Sequence, residues 1–169
     1  MFKHKFLIRI LIWLFICSGM ITALIIYNPA LLKPLIQAGI PLTNFSHIPI
    51  IGNTIRAANT PQITVQELKK IIDTQNQNFL LVDVRSLVEY ENTHIPGAIF
   101  IPLTDIEDGK GITKIKSIIS NKKLITYCSV GIRSNKALEL LKNAGVTGTN
   151  VQGGINQWRE KIDPTMPKL

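Results

Sequence analysis

Two patterns of hydrophobic and polar positions divide this chain of 169 residues. The first is continuous. Ile10 to Tyr27 is eighteen residues without a charge, ILIWLFICSGMITALIIY, and Phe6-Leu7-Ile8 extends it past Arg9. Arg9 can snorkel its guanidinium back to the headgroups. At about 1.5 Å per residue, roughly 20 apolar residues cross a hydrocarbon core, so residues 1–28 are expected to form one N-terminal transmembrane helix. Residues 29–60 hold Pro29, Pro34, Pro41 and Pro49 among apolar residues. Prolines at that density interrupt helices and central strands, so this stretch reads as a linker along the membrane surface.

The second pattern starts near Gln62 and alternates short apolar runs with amphipathic ones. Phe79–Val82 (ending at Asp83), Ala98–Ile101, Lys123–Tyr127 and the weaker Gly148–Val151 read as strands. Val65–Asp73, Leu87–Asn92, Ile112–Ser120, Ser134–Asn143 and Ile155–Lys161 read as helices. Thr64 with Glu67 three residues on is a capping box, and Ala144-Gly145 closes the fourth helix. Apolar strands between helices imply an α/β domain with a mostly parallel sheet over residues 61–163, followed by a tail, 164–169.

Charge sharpens the division. Residues 1–60 carry five bases and no acid, whereas residues 61–169 carry 14 bases and 11 acids. The net charge of +8 is therefore largely N-terminal, which suits a membrane and argues against a nucleic-acid partner. A cleaved signal would have about 7–15 apolar residues and then small ones, but Tyr27-Asn28-Pro29-Ala30-Leu31-Leu32 follows here. An uncleaved anchor is expected. Lys3, Lys5 and Arg9 before the run, against Lys33 after it, place the folded domain on the extracytoplasmic side. Cys17 and Cys128 are the two cysteines, and neither they nor the three histidines have metal-ligand spacing.

Sites in parallel sheets lie beyond the carboxyl ends of strands, which points to Tyr127-Cys128-Ser129-Val130-Gly131-Ile132-Arg133. A strand ends, a thiol follows, and a helix begins near Arg133 or Ser134. Backbone N–H groups from such a loop converge on one point, and the helix dipole and Arg133 add positive charge there. These neighbours favour a thiolate at Cys128, and Gly131 permits the turn. No metal or other cofactor is called for.

Cys128-x-x-Gly131-x-Arg133 resembles the active-site loop of rhodanese-like sulfurtransferases. Asp83-Val84-Arg85, Glu89-Tyr90 and His94-Ile95-Pro96-Gly97-Ala98 are similar to the family's upstream pattern, and Gly153-Gly154 with Trp158 to its closing segment. Thr93 stands where the family often has glycine. The resemblance covers about residues 62–163 and implies a five-stranded parallel sheet flanked by helices. It also implies a reaction. Cys128 takes sulfur from a small anionic donor such as thiosulfate, becomes a persulfide and passes the sulfur to cyanide, a thiol or a protein. The loop N–H groups from Ser129 through Val130, Gly131 and Ile132 to Arg133 would hold the persulfide, and Arg133 would attract the donor.

Asp83 and Arg85 can reach the same rim, or tie a strand end to the next helix. His94, before Pro96-Gly97, reads as a packed residue, since transfer from an ionised thiol needs no base. Trp158 reads as core. Cysteine-dependent phosphatases and arsenate reductases also pair Cys with Arg around a loop. The cell-cycle phosphatases have five intervening residues and a His before the Cys, against the four here and Tyr127. A membrane-tethered persulfide carrier or a rhodanese-like sensing module is the non-enzyme alternative, although inactive modules usually lose the Cys.

Overall fold

The computed structural model describes residues 49–74 and 78–168, and the expected membrane anchor, residues 1–28, lies outside them. No helix among the described residues is long and apolar enough to cross a membrane. The chain divides into two units, residues 1–58 and 59–169. In the first, the expected linker contains a helix, α1 (Pro49–Asn59). Pro49 does not break it because it is the first residue, where a missing N–H costs nothing.

The second unit is a five-stranded parallel sheet in the order β1-β5-β4-β2-β3, flanked by helices. Its elements are β1 (Gln62–Ile63), α2 (Val65–Asp73), β2 (Phe79–Asp83), α3 (Leu87–Asn92), β3 (Ile99–Phe100) and α4 (Leu103–Glu107). Then follow α5 (Lys110–Ile119), β4 (Lys123–Tyr127), α6 (Ile132–Asn143), β5 (Gly148–Val151) and α7 (Gly154–Lys161). The expected capping box is present at Thr64 and Glu67, and a second forms at Ser86 and Glu89. Each such cap stabilises its helix by about 1 kcal/mol.

The central strands β2 and β4 read as near-continuous apolar runs because both faces of the sheet are covered. Their side chains alternate between two cores. Leu80, Val82 and Leu124 face one layer with Ile106 of α4, Ile115 of α5 and Leu138 and Leu141 of α6. Leu81, Ile125 and Tyr127 face the other, with Val65 and Leu68 of α2 and Ile155 and Trp158 of α7. Trp158 is thus a core residue. The central strands β2 and β4 pair over their whole length, from Phe79 opposite Lys123 to Asp83 opposite Tyr127. The chain leaves β2 toward β3 on one side and β4 toward β5 on the other. Their carboxyl ends therefore flank the crevice in which parallel sheets place ligands.

Candidate active site

Cys128 follows β4 directly, in the alternation that turns Leu124 toward α6, and its residue is 1% exposed. Gly131, at φ 102°, caps α6 and donates its N–H to Cys128 Sγ at 3.1 Å. A side chain there would be strained by that φ, and a Cβ would stand 3.1 Å from Asn150 Nδ2. α6 starts at Ile132, so Arg133 lies in its first turn, where the helix dipole disfavours a cation. A carboxylate offsets that cost. Arg133 Nη1 and Nη2 donate to Glu89 Oε2 and Oε1 at 2.7 and 2.6 Å.

Glu89 is the residue that sequence reasoning missed. Its Oε2 also accepts from the Ser86 N–H and Oγ at 3.0 and 2.8 Å, and its Oε1 from Ser129 Oγ at 3.0 Å. Arg133 in turn donates to Ser129 Oγ at 2.9 Å. One carboxylate therefore caps α3 and clamps the loop 44 residues away. The Arg133 hydrogen bonds, against the opposing effect of burial and with help from Ser86 and Ser129, hold Glu89 well below the usual carboxylate range. Glu89 likewise raises Arg133, and Cys128 adds a smaller effect. The capping box of Ser86 and Glu89 is a local feature, whereas the link to Arg133 is made only by the fold.

Two further supports hold the loop. The first is α7, whose opening N–H groups would otherwise lack partners. Ile155 N donates to Cys128 O at 2.9 Å and Asn156 N to Ser129 O at 3.1 Å. Gly154 allows this approach: a Cβ on it would lie 2.1 Å from Cys128 O. The second is a polar chain behind the thiol. Ser134 Oγ lies 3.5 Å from Cys128 Sγ and 2.5 Å from Asn150 Oδ1. Asn150 Nδ2 donates to Gln62 Oε1 at 2.6 Å, and Gln62 Nε2 to Asn135 Oδ1 at 3.0 Å. Ser134 has one proton, so it donates to the sulfur or to Asn150 at any moment, not to both.

Asp83 and Arg85 form a hydrogen-bonded pair of their own beside this cluster, and Arg85 lines one cleft with Arg133. Arg85 Nε and Nη2 engage both oxygens of Asp83, and Nη2 also donates to Thr93 O at 2.6 Å. The pair thus ties the end of β2 to the turn after α3. Burial works against the Arg85 charge, but the hydrogen bonds and charge of Asp83 outweigh it and hold the guanidinium above its ordinary range. Burial, then the Asp83 charge, pushes the Tyr127 phenol up as well. Thr93 has φ −167°, extended backbone that needs no glycine. His94 is exposed, stacked on Tyr90 with ring centroids 4.1 Å apart, and its Nδ1 donates to Tyr90 O at 2.9 Å. Val130 and Ile132 are exposed at the loop surface.

The strand-end thiol, the glycine N–H that meets it and the clamped arginine all lie within the stretch matched by one family model. The model is that of the rhodanese-like domain, matched over residues 64–161. The chain belongs to the rhodanese-like domain family. It is 36% identical over 118 residues to the uncharacterized 16.5 kDa protein in psaL 5'region of Synechococcus elongatus, covering 66% of this chain and 77% of that one. It is 34% identical over 118 residues to the probable adenylyltransferase/sulfurtransferase MoeZ of Mycobacterium tuberculosis, covering 69% of this chain but only 29% of MoeZ. Among solved structures, the human single domain sulfurtransferase TSTD1 superposes with a TM-score of 0.50 at 28% identity, covering 60% of this chain and 97% of that one. Sulfurtransferases are thus among the relatives of this rhodanese-like domain.

Proposed function

We propose that this rhodanese-like domain transfers sulfane sulfur, from thiosulfate or a related donor to a thiophilic acceptor, through a persulfide on Cys128. The observation that carries this reading is the Gly131 N–H aimed at Cys128 Sγ at 3.1 Å, at the head of α6 and beside Arg133. The Cys128 thiolate attacks the outer sulfur of the donor. The donor's S–S bond breaks, a new one forms to Sγ, and with thiosulfate the bonding pair leaves with sulfite. An acceptor (a thiol, cyanide or a protein nucleophile) then removes the outer sulfur and regenerates the thiolate, as two displacements with ping-pong kinetics. The loop amides from Ser129 to Arg133 hold the persulfide, and no cofactor takes part. Asp83 and Arg85 act on the site only by fixing the end of β2.

The test is mass spectrometry of the purified chain after donor treatment. Wild type gains one sulfur atom and loses it to cyanide as thiocyanate. Cys128→Ser does neither, because a hydroxyl there does not ionise at neutral pH. Turnover of aryl phosphates without sulfur transfer would defeat the reading.

We further propose that the domain is tethered by the uncharged run Ile10–Tyr27 and faces away from the cytoplasm. The chain then sediments with membranes and resists carbonate, and an impermeant maleimide labels Cys128 without breach of the inner membrane. A shortened soluble protein starting near residue 30 would show a cleaved signal instead.

A further inference from the structure

We propose that Glu89 sets the donor specificity of Cys128, favouring organic persulfides over thiosulfate. This rests on the sulfur-transfer reading above and names its substrate class. Sequence reasoning assigned Arg133 to attract an anionic donor. Its two terminal nitrogens instead donate to the two oxygens of Glu89, and Nη2 also to Ser129 Oγ. Nor is Glu89 free to swing aside. The Ser86 N–H and hydroxyl hold its Oε2 as the cap of α3, and Ser129 holds its Oε1. The carboxylate therefore stays beside Arg133 as a fixed counter-charge.

Charge counting then separates the donors. Thiosulfate brings two negative charges to a thiolate whose nearest cation is already matched by a carboxylate. A persulfide brings at most one, and none in its protonated form. In that form the Cys128 thiolate attacks the outer sulfur of R–S–SH. The donor S–S bond breaks, its electron pair leaves with R–S⁻, and the proton stays on the transferred sulfur. Charge balances, and no oxidant or reductant is consumed.

The surroundings of the clamp point the same way. A cleft of about 470 Å³ opens beside Arg133, with Leu87, Phe100, Pro102 and Leu103 in its wall. Its other charged residues are Arg85, already matched by Asp83, Glu107, paired with Lys136, and Asp105, which repels an anion. Leu87 and Val88, at the start of α3, are exposed next to Glu89 in the chain, as Val130 and Ile132 are in the loop. Carbon surface of this kind suits the organic body of a persulfide and gives nothing to a small inorganic dianion.

The experiment uses the full chain in detergent, cysteine persulfide or thiosulfate as donor, cyanide as acceptor, and wild type beside Glu89→Gln. Glutamine is chosen because it also completes a capping box, so α3 keeps its cap while Arg133 loses its counter-charge. Wild type is expected to show a kcat/KM at least about tenfold higher for the persulfide. In Glu89→Gln the thiosulfate-to-persulfide ratio of kcat/KM rises about tenfold, mainly through a lower thiosulfate KM. The salt dependence of thiosulfate turnover also steepens, since an unmatched cation now attracts the donor. A wild-type preference for thiosulfate overturns the proposal whether or not the variant folds, as does an unchanged or falling ratio in a folded variant. If neither protein gains a sulfur atom from either donor, the sulfur-transfer reading fails and the proposal with it. Sulfur gain without a change in ratio removes only the role of Glu89.

Discussion

Two arginine–carboxylate pairs lie at the carboxyl end of the sheet, Asp83 with Arg85 and Glu89 with Arg133. Both are forked, with nitrogen–oxygen distances as short as 2.7 and 2.6 Å. They differ in surroundings. The side chains of Asp83 and Arg85 are 0% exposed, whereas those of Arg133 and Glu89 are 36% and 20% exposed. Asp83 and Arg85 are two residues apart and fix one turn, while Glu89 and Arg133 join segments 44 residues apart around the nucleophile. A buried charge left without its partner is very costly, so the first pair is tied to folding. A pair still partly open to water is screened by water and salt, so the role of the second is sought in chemistry rather than stability.

The largest expected effect comes from breaking the buried pair. Asp83→Ala strands the Arg85 guanidinium in a closed interior and should cost about 3–5 kcal/mol of stability. That is a large share of the roughly 5–15 kcal/mol that holds a domain folded. Replacing both members by apolar residues of similar volume should recover most of the loss. Thermal unfolding of wild type and the two variants measures this. A single variant as stable as wild type would place the pair on the same footing as Glu89 and Arg133.

The second effect falls on turnover. Arg133→Ala should change stability by no more than about 1 kcal/mol. It should lower sulfur transfer by about 10²-fold or more, because the loop loses its cation and Glu89 is left unmatched near Cys128. Arg133→Lys keeps the charge but not the planar fork, and should retain weak activity. Kinetics beside unfolding curves check both. Full activity in both variants, or a stability loss as large as that of Asp83→Ala, would erase the contrast between the pairs.

That contrast was only half legible in the sequence. The runs at Phe79–Val82 and Lys123–Tyr127 declared themselves because strands buried on both faces are uniformly apolar. The Thr64 cap did so because its pattern is local. β1 was missed: two residues carry no period, and Gln62–Ile63 is a strand only through its pairing with Asn150 and Val151. α4 was missed as well, since the five residues Leu103–Glu107 are too few for an amphipathic repeat. Cys128 and Arg133 followed from one continuous loop. Glu89 did not, because its partner lies in another segment and only the register of β2 beside β4 brings them together. The chain from Ser134 through Asn150 to Gln62 was hidden for the same reason.

The smallest effect concerns pH, and it isolates the Glu89 clamp from its capping role. Glu89 is depressed in the fold, by Arg133 first and then by Ser86 and Ser129. Its unfolded pKa is about 4.3. Above that value the carboxylate is ionised in both states and the clamp contributes fully. As pH falls through that value the unfolded chain takes up a proton before the folded one does. The unfolded state then binds more protons, so this contribution declines as the pH moves toward the folded pKa. Glu89→Gln has no proton to take up at this position but can still cap α3. The stability difference between wild type and Glu89→Gln, at most about 1 kcal/mol for a partly exposed pair, should hold steady from about pH 7 to 5.5 and shrink below about pH 4.5. Added salt should reduce the difference at neutral pH by screening. Unfolding curves of the two proteins across that range measure it. A difference that grows on acidification would mean that Glu89 is stabilised in its protonated form, and Arg133 would then be free to meet an anionic donor directly.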